Sequence, residues 1–384
     1  IHNLSLSLEA RYFQLLGQEG QIPENGYHGD DITDTMRRLI SRDGDVYLAM
    51  EAAARREALT AYALAEKTAA TRQTLADFGV NYDRWFSEKH LHDSGYVQDT
   101  LAELGKNGCT VEREGALWLK SEAAGGEKDE VLVRSDGTPT YFAADIAYHR
   151  HKFSRGFTRL INIWGADHHG HVARMRAALG ALGFDPAAFQ VILMQFVRLI
   201  EGGEAIKMSK RAGKYVTLQD LIAEVGSDAA RFLFLMRAPD STVDFDLDLA
   251  KKESAENPVY YVQYAHARLC AIIRRAQAMG LDTEQTPAAA VLALLTDPRE
   301  TALLRQLALW PEEVAVAARL TEPHRLTGYL IELAGLYHSF YNHCRVLQAE
   351  SENLRSARVA LVRGARQVIA NALAILGVTA PESM

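Results

Sequence analysis

Cysteine is scarce: there are three in 384 residues, at positions 109, 270 and 344, with neither CxxC nor metal-type spacing. That scarcity excludes a disulfide framework and a cysteine-ligated zinc site, and free thiols fit a reducing, cytosolic setting. No apolar run in the sequence approaches the ~20 residues of a membrane span. A basic excess is missing too, with 42 Lys and Arg against 49 Asp and Glu, so indiscriminate binding to nucleic acid is not expected. Repeats, low-complexity tracts and flexible linkers are absent. The chain opens Ile1-His2-Asn3-Leu4, without an initiator methionine or a basic-plus-apolar leader, so its start is expected to be internal.

What is present reads as an ordinary globular chain of two or three domains, 48% hydrophobic and 24% charged. The acidic excess is unevenly spread, with a balance of −8 over residues 1–250 and +1 over residues 251–384. An acidic first part would attract a cationic substrate, while the neutral second part could still hold nucleic acid on local basic faces.

Residues 3–18 carry helical periodicity through Leu4, Leu8, Tyr12, Leu15 and Leu16, and Pro23, Gly26 and Gly29 then mark a polar loop over 22–34. Asp45 to Phe78 reads as one or two long helices. Short β-type runs at Leu117–Leu119 and Val131–Val133 flank a glycine-rich loop, with Asp136-Gly137 as a turn signal. Thr140 to Tyr148 reads as a strand running into a helix, which puts Tyr141 and Asp145 on one face. That pair is either a capped helix start with a packed ring or one wall of a site for a guanidinium or ammonium group.

A buried strand is expected over Leu160–Trp164, then the turn Gly165-Ala166-Asp167-His168-His169-Gly170-His171 and a helix from Val172 to Leu182. This is half of a βαβ unit, and ligands sit at the carboxyl ends of such strands. Gly165 and Gly170 would admit a nucleotide, and Asp167 suits ribose hydroxyls. Three histidines and an aspartate within five residues also raise a metal site built from Asp167, His168, His169 and His171, although no second cluster supplies further ligands.

Between an apolar run (Val191–Ile200) and a helix (Leu218–Val225) lies Ala205-Ile206-Lys207-Met208-Ser209-Lys210-Arg211-Ala212-Gly213-Lys214. Lysines are mobile point charges, and on a glycine-flanked loop they suit a polyphosphate whose charge shifts during reaction. A solvated basic turn is the bland alternative, but Lys207-Met208-Ser209-Lys210 is the KMSK signature of class I aminoacyl-tRNA synthetases. Further on, Ser227 and Asp228 form a cap-like start to an amphipathic helix. A first helix of the C-terminal part should bury Val262, Ala265, Leu269, Ile272 and Ala276, with Tyr261, Tyr264 and Arg268 as a separate stripe. Such tyrosines are most often packing residues.

Assembled in order, these residues resemble the C-terminal portion of a bacterial arginyl-tRNA synthetase. The segments Asn3–Leu16, Gly26–Asp31, Tyr141–Ala147, Trp164–Gly170, Ile206–Gly213, Asp244–Ala250 and Asn257–Arg268 carry the resemblance, which covers essentially the whole chain. It implies a partial Rossmann-type α/β catalytic domain over 1–225, with a helical insertion at about 20–110. A connecting helix and linker over 226–250 and an all-α helical-bundle anticodon-binding domain over 251–384 would follow. It also implies ATP binding by Gly165, Asp167, His168, Lys207, Ser209 and Lys210, with the two lysines catalytic, and arginine binding by Tyr141 and Asp145.

The same resemblance implies tRNA contact through Tyr261, Tyr264 and Arg268. Tyr337, Phe340 and Tyr341, and the row Arg355, Arg358 and Arg366, are weaker candidates for that surface. The implied partners are arginine, tRNA(Arg) and ATP with Mg2+. A cytoplasmic monomer is expected, without membrane, DNA or a tightly bound protein metal. The class's second nucleotide signature, H-x-G-H near the start of the catalytic domain, would precede this chain's first residue. Two other readings are a non-catalytic tRNA-binding fragment and a metal-dependent hydrolase.

Overall fold

Alanine- and leucine-rich periodic stretches make most of the chain helical, and strands are confined to its middle. The computed structural model describes residues 2–122, 128–206 and 216–384. The chain divides into two compact units, one formed by 1–81, 199–236 and 245–384 and the other by 82–198 and 237–244.

The chain opens with α1 (His2–Leu15), α2 (Asp30–Asp43) and α3 (Ala52–Asp77). Leu8 and Tyr12 of α1 close against Met36 and Leu39 of α2 and Leu59 and Ala63 of α3, all buried. The polar loop expected over 22–34 is shorter than its sequence signals suggested. Asp30 and Asp31 open α2, where acidic side chains favour the helix N-terminus.

In the second unit, α4 (Glu88–Asp93) and α5 (Tyr96–Lys106) precede an antiparallel sheet of β1 (Thr110–Arg113), β2 (Ala116–Leu119) and β3 (Glu130–Val133). The β1–β2 hairpin turns on Glu114 and Gly115, both at positive φ (52° and 75°), the geometry of a two-residue loop that matches strand twist. Next comes α6 (Tyr141–Ser154), then β4 (Leu160–Gly165), α7 (His169–Ala181) and β5 (Phe189–Met194). β4 and β5 pair in parallel from Leu160↔Phe189 to Gly165↔Met194, so α7 is the crossover of a βαβ unit.

Two expectations need correction here. Thr140 begins no strand, because its hydroxyl caps α6 by accepting from the Ala143 N–H. β4 is buried on one face only, with Leu160 and Asn162 inside and Ile161 and Ile163 exposed, since strand side chains alternate.

The apolar run over 191–200 breaks at Gln195-Phe196 into β5 and β6 (Val197–Glu201). A tight turn at Gly202-Gly203 joins β6 to β7 (Glu204–Ala205). α8 (Leu218–Val225) starts with a full capping box, Thr217 with Asp220, over the span its sequence predicts. α9 (Ser227–Phe234) does not use the expected cap, because the Asp228 carboxylate instead accepts from Gln263 Nε2 at 2.8 Å and from the Thr379 N–H at 3.0 Å. The acidic 244–248 segment forms β8 (Val243–Asp246) and α10 (Leu247–Ala250), with Asp246 capping the Leu249 N–H and Asp248 accepting from the Gly202 N–H.

The bundle consists of α11 (Pro258–Ala278), α12 (Ala289–Leu292), α13 (Pro298–Leu320), α14 (His324–His343) and α15 (Glu352–Leu376). Val262, Ala265, Leu269, Ile272 and Ala276 of α11 are buried, as their spacing predicts. α15 is long and apolar enough, by length and composition only, to cross a membrane. Its apolar face, including Leu361, Ile369 and Leu373, is spent on the bundle core.

Candidate functional site

The chemistry-bearing side chains of the second unit meet where the first turn of α6 faces the carboxyl end of β4. Thr140 sets the start of α6 twice over, capping it and donating its hydroxyl to the Val131 carbonyl at 2.9 Å. Tyr141 is then the first helical residue and 63% exposed, while Asp145 one turn later keeps only 14% of its side chain accessible. His171, two residues into α7, brings Nε2 to 2.9 Å from Asp145 Oδ2. His149 packs one turn along α6, with Nδ1 at 2.8 Å from the Asp145 carbonyl and 3.3 Å from Oδ1.

These contacts decide the charge on Asp145. Burial by itself works to raise the carboxyl's pKa, but hydrogen bonds from His149 and His171, with their positive potential, outweigh it and hold the group well below the usual carboxylate range. Asp145 is therefore an anion in a nearly closed, aromatic-walled recess. Trp164 lies 5.2 Å from the His171 ring and Phe142 lies 5.3 Å from it. A second layer follows: Asn162 Oδ1 is 3.1 Å from His149 Nε2 and accepts from Lys152 Nζ at 2.9 Å. Burial lowers the Lys152 ammonium's pKa, against the opposing pull of Asp145.

The turn after β4 has its own geometry. Gly165 is not at positive φ, so no left-handed conformation demands glycine there. A Cβ at that position would stand 2.5 Å from Asp167 Oδ1, so glycine is what lets this carboxylate fold back over the turn. Asp167, His168 and His169 are exposed, whereas His171 turns inward to Asp145. Among the described residues no three His, Cys, Asp or Glu side chains converge on a possible metal position. The metal reading of this cluster fails for that reason: consecutive residues at a helix start point in different directions.

On the bundle, Tyr260 and Tyr264 of α11 stack with centroids 6.3 Å apart and planes 8° apart. Arg268 lies over the Tyr264 ring at 5.2 Å and over the Tyr341 ring at 4.2 Å. His338 of α14 comes within 4.7 Å of Tyr261 and 6.1 Å of Tyr264. The stripe of Tyr261, Tyr264 and Arg268 is therefore one contiguous aromatic and cationic patch that also includes Tyr341. Three of the weaker candidates are buried. Tyr337 and Phe340 lie wholly inside the bundle, and Arg358 is inside too, donating to Glu300 Oε1 at 2.6 Å.

Comparison with known proteins assigns these sites a family. Residues 68–267 match the catalytic domain of the class I (R) tRNA synthetases, and residues 262–384 match the DALR anticodon binding domain. An arginine–tRNA ligase of Desulfitobacterium hafniense is 61% identical over 384 residues, which is all of this chain and 68% of that protein. The chain belongs to the arginine–tRNA ligase family.

Another arginine–tRNA ligase, from Heliobacterium modesticaldum, is 59% identical over all of this chain and 69% of its own length. A Campylobacter jejuni crystal structure assigned as an arginyl-tRNA synthetase superposes with a TM-score of 0.89 at 32% identity, covering 100% of this chain and 82% of that one. Thermus thermophilus arginyl-tRNA synthetase shares the fold at a TM-score of 0.67 and 22% identity, over 99% of this chain and 79% of that one. The architecture expected from sequence, a class I synthetase catalytic domain followed by a helical anticodon domain, is what this family has.

Within that family framework, Tyr141, Asp145, Gly165, Asp167 and His168 all lie around the carboxyl end of β4. Lys207, Ser209 and Lys210 lie outside the described residues. Two residues escaped the sequence reading. His149 is one helical turn beyond Asp145, a spacing that could have flagged it, and His338 is close to Tyr261 only in space. The string His168–His171 does spell H-x-G-H, but it sits in the turn after β4 and not near the start of the catalytic domain.

Proposed function

We propose that this arginine–tRNA ligase seats the arginine side chain on Tyr141 and Asp145 and the adenosine ribose at Gly165, Asp167 and His168. Lys207, Ser209 and Lys210 engage the ATP phosphates. The arginine reading is carried by one observation, a nearly enclosed carboxylate held as an anion at the foot of an exposed tyrosine. A planar guanidinium takes two parallel bonds from such a group, with the ring alongside its stem.

The arginine carboxylate then attacks the ATP α-phosphate in line, forming arginyl-adenylate and releasing pyrophosphate. Rate comes from positioning and from lysine charge meeting the leaving group. A 3′-terminal ribose hydroxyl of tRNA, the 2′-OH on this reading, attacks the adenylate carbonyl and releases AMP. Mg2+ enters with ATP, held by phosphate oxygens and water, as suits an ion that dehydrates reluctantly. Lysine and citrulline are rejected because they leave part of the charged pocket unpaired.

Anticodon bases stack on Tyr261 and Tyr264 and against the Arg268 plane, a role supported by their shared patch, of which Tyr264 and Arg268 fall within the DALR match. We assign 1–225 to catalysis, 226–250 to a connection and 251–384 to the anticodon. The enzyme works as a monomer in the cytoplasm, where protein synthesis takes place.

Arginine-dependent ATP–pyrophosphate exchange, with tRNA present and absent, tests this reading against a chain of the relatives' full length. Exchange that Asp145→Asn and Lys210→Ala both suppress supports it. Exchange indifferent to both would overturn the site assignment. A 384-residue chain that binds tRNA without exchange would be the binding part of a synthetase.

A further inference from the structure

A carboxylate that receives a guanidinium must face it in one rotation, yet the last torsion of aspartate is broad and roughly two-fold. Nothing in Asp145 itself selects that rotation. Its neighbours do: Oδ2 accepts from His171 Nε2 at 2.9 Å, and Oδ1 faces His149 Nδ1 at 3.3 Å. Each carboxylate oxygen has two lone pairs. One lone pair of Oδ2 is taken by His171, while the His149 Nδ1–H goes to the Asp145 carbonyl and its ring only faces Oδ1, so each oxygen keeps a free lone pair for the paired N–H groups of an arginine fork.

The two rings are themselves held. His171 is 7% exposed and packed between Trp164 and Phe142. His149 is 1% exposed and bonded through Nδ1 to the carbonyl one turn back. Its far nitrogen meets Asn162 Oδ1, and Lys152 fixes that amide's direction, because an ammonium has no lone pair and can bond only to the oxygen.

We propose that His171 and His149 are positioning residues that clamp the Asp145 carboxylate in the rotation that accepts a guanidinium fork. The clamp rests on the reading of Asp145 as the arginine carboxylate, and it deepens that reading into a basis for selectivity. A fork needs both oxygens in its plane, whereas the ammonium of lysine is a point charge indifferent to carboxylate rotation. Fixing the rotation therefore favours arginine over lysine.

The test compares His171→Phe, which keeps a ring without the N–H, with His171→Gln, whose side-chain amide restores a donor. Exchange is measured on the polypeptide extended to its relatives' full length. The clamp requires His171→Phe to raise the KM for arginine about tenfold. The ATP KM and kcat should stay within about twofold, and the preference for arginine over lysine should narrow. His171→Gln should recover most of the loss. An unchanged arginine KM in His171→Phe, or equal impairment in both variants, overturns the clamp and leaves His171 as packing.

Asp145→Asn separates the two levels. If it too leaves the arginine KM unchanged, the arginine pocket itself is wrong. If it raises that KM while His171→Phe does not, only the clamp is wrong. Should a His171 variant fail to fold, histidine-labelled NMR of the unsubstituted protein decides. Saturating arginine must shift the His171 ring resonances and lysine must not, and an unresponsive ring overturns the proposal.

Discussion

Arg231 and Gly377 are built around each other. The Arg231 guanidinium donates through Nε and Nη2 to the Leu376 carbonyl, each at 3.0 Å, and through Nη1 to the Phe78 carbonyl at 2.7 Å. One side chain on α9 thereby closes the C-terminal ends of both α3 and α15. Gly377 stands at φ +66°, and a Cβ there would run into the same guanidinium.

Gly377→Ala combines a left-handed backbone with a displaced arginine, and should destabilise the chain by roughly 2 kcal/mol. Denaturant unfolding checks this. A midpoint equal to that of the unsubstituted protein would show that Arg231 moves aside at no cost.

The Glu300–Arg358 pair is 1% and 10% exposed at its side chains. Glu300→Ala strands a buried guanidinium, and a loss of about 3–5 kcal/mol is expected. Glu300→Leu with Arg358→Met should recover much of that loss, because the desolvation of both charges disappears. A double variant no better than the single one would mean that the Glu300 bond to the Asp297 N–H at 3.0 Å dominates instead.

Glu66 supplies a pH signature. Hydrogen bonding from Arg38, partly opposed by burial and aided by Tyr62 and Thr35, lowers its carboxyl pKa to about 2 from the ordinary 4.5. A depressed carboxyl stabilises the fold above the unfolded value and loses that contribution as pH falls through the folded one. The stability gap between the parent and Glu66→Gln should therefore be full at pH 7 and shrink between about 4.5 and 2. Thermal unfolding over that range would show it, and a gap constant with pH would place the effect in packing.

Lys210→Ala should cut adenylate formation by roughly a hundredfold or more while arginine affinity changes little, if its charge meets the leaving pyrophosphate as proposed. Single-turnover exchange beside equilibrium arginine binding makes the comparison. Equal losses in both would remove the phosphate role.

Tyr264→Ala should weaken tRNA binding by about 1–3 kcal/mol if a base stacks there. Arg268→Lys should also weaken it, because the planar group lying over Tyr264 and Tyr341 is lost even though the charge is kept. Filter binding of tRNA(Arg) reads both. Unaltered affinity in the pair would return the patch to the bundle's packing.

Local patterns were legible where one segment decides its own structure. The capping box at Thr217, the crossover from β4 through α7 and the buried stripe of α11 follow from spacing and cap chemistry within a few residues. The sequence also carried the family, because its motifs are contiguous. Direction was not legible. The same pattern that suggested a metal cluster sends His171 inward and His169 outward, and an apparent cap at Asp228 is drawn instead to Gln263 and Thr379.

The chain's local pattern was enough for most of its helices and for the shared helical face of Asp145 and Tyr141. Backbone propensity and i, i+4 geometry need no distant partner. Packing across the chain supplied the histidine contacts of Asp145, the burial of Arg358 against Glu300 and the tie that Arg231 makes among three helices. Each of those depends on groups brought together across 26, 58 and up to 153 residues of chain, and on the desolvation that packing imposes on them.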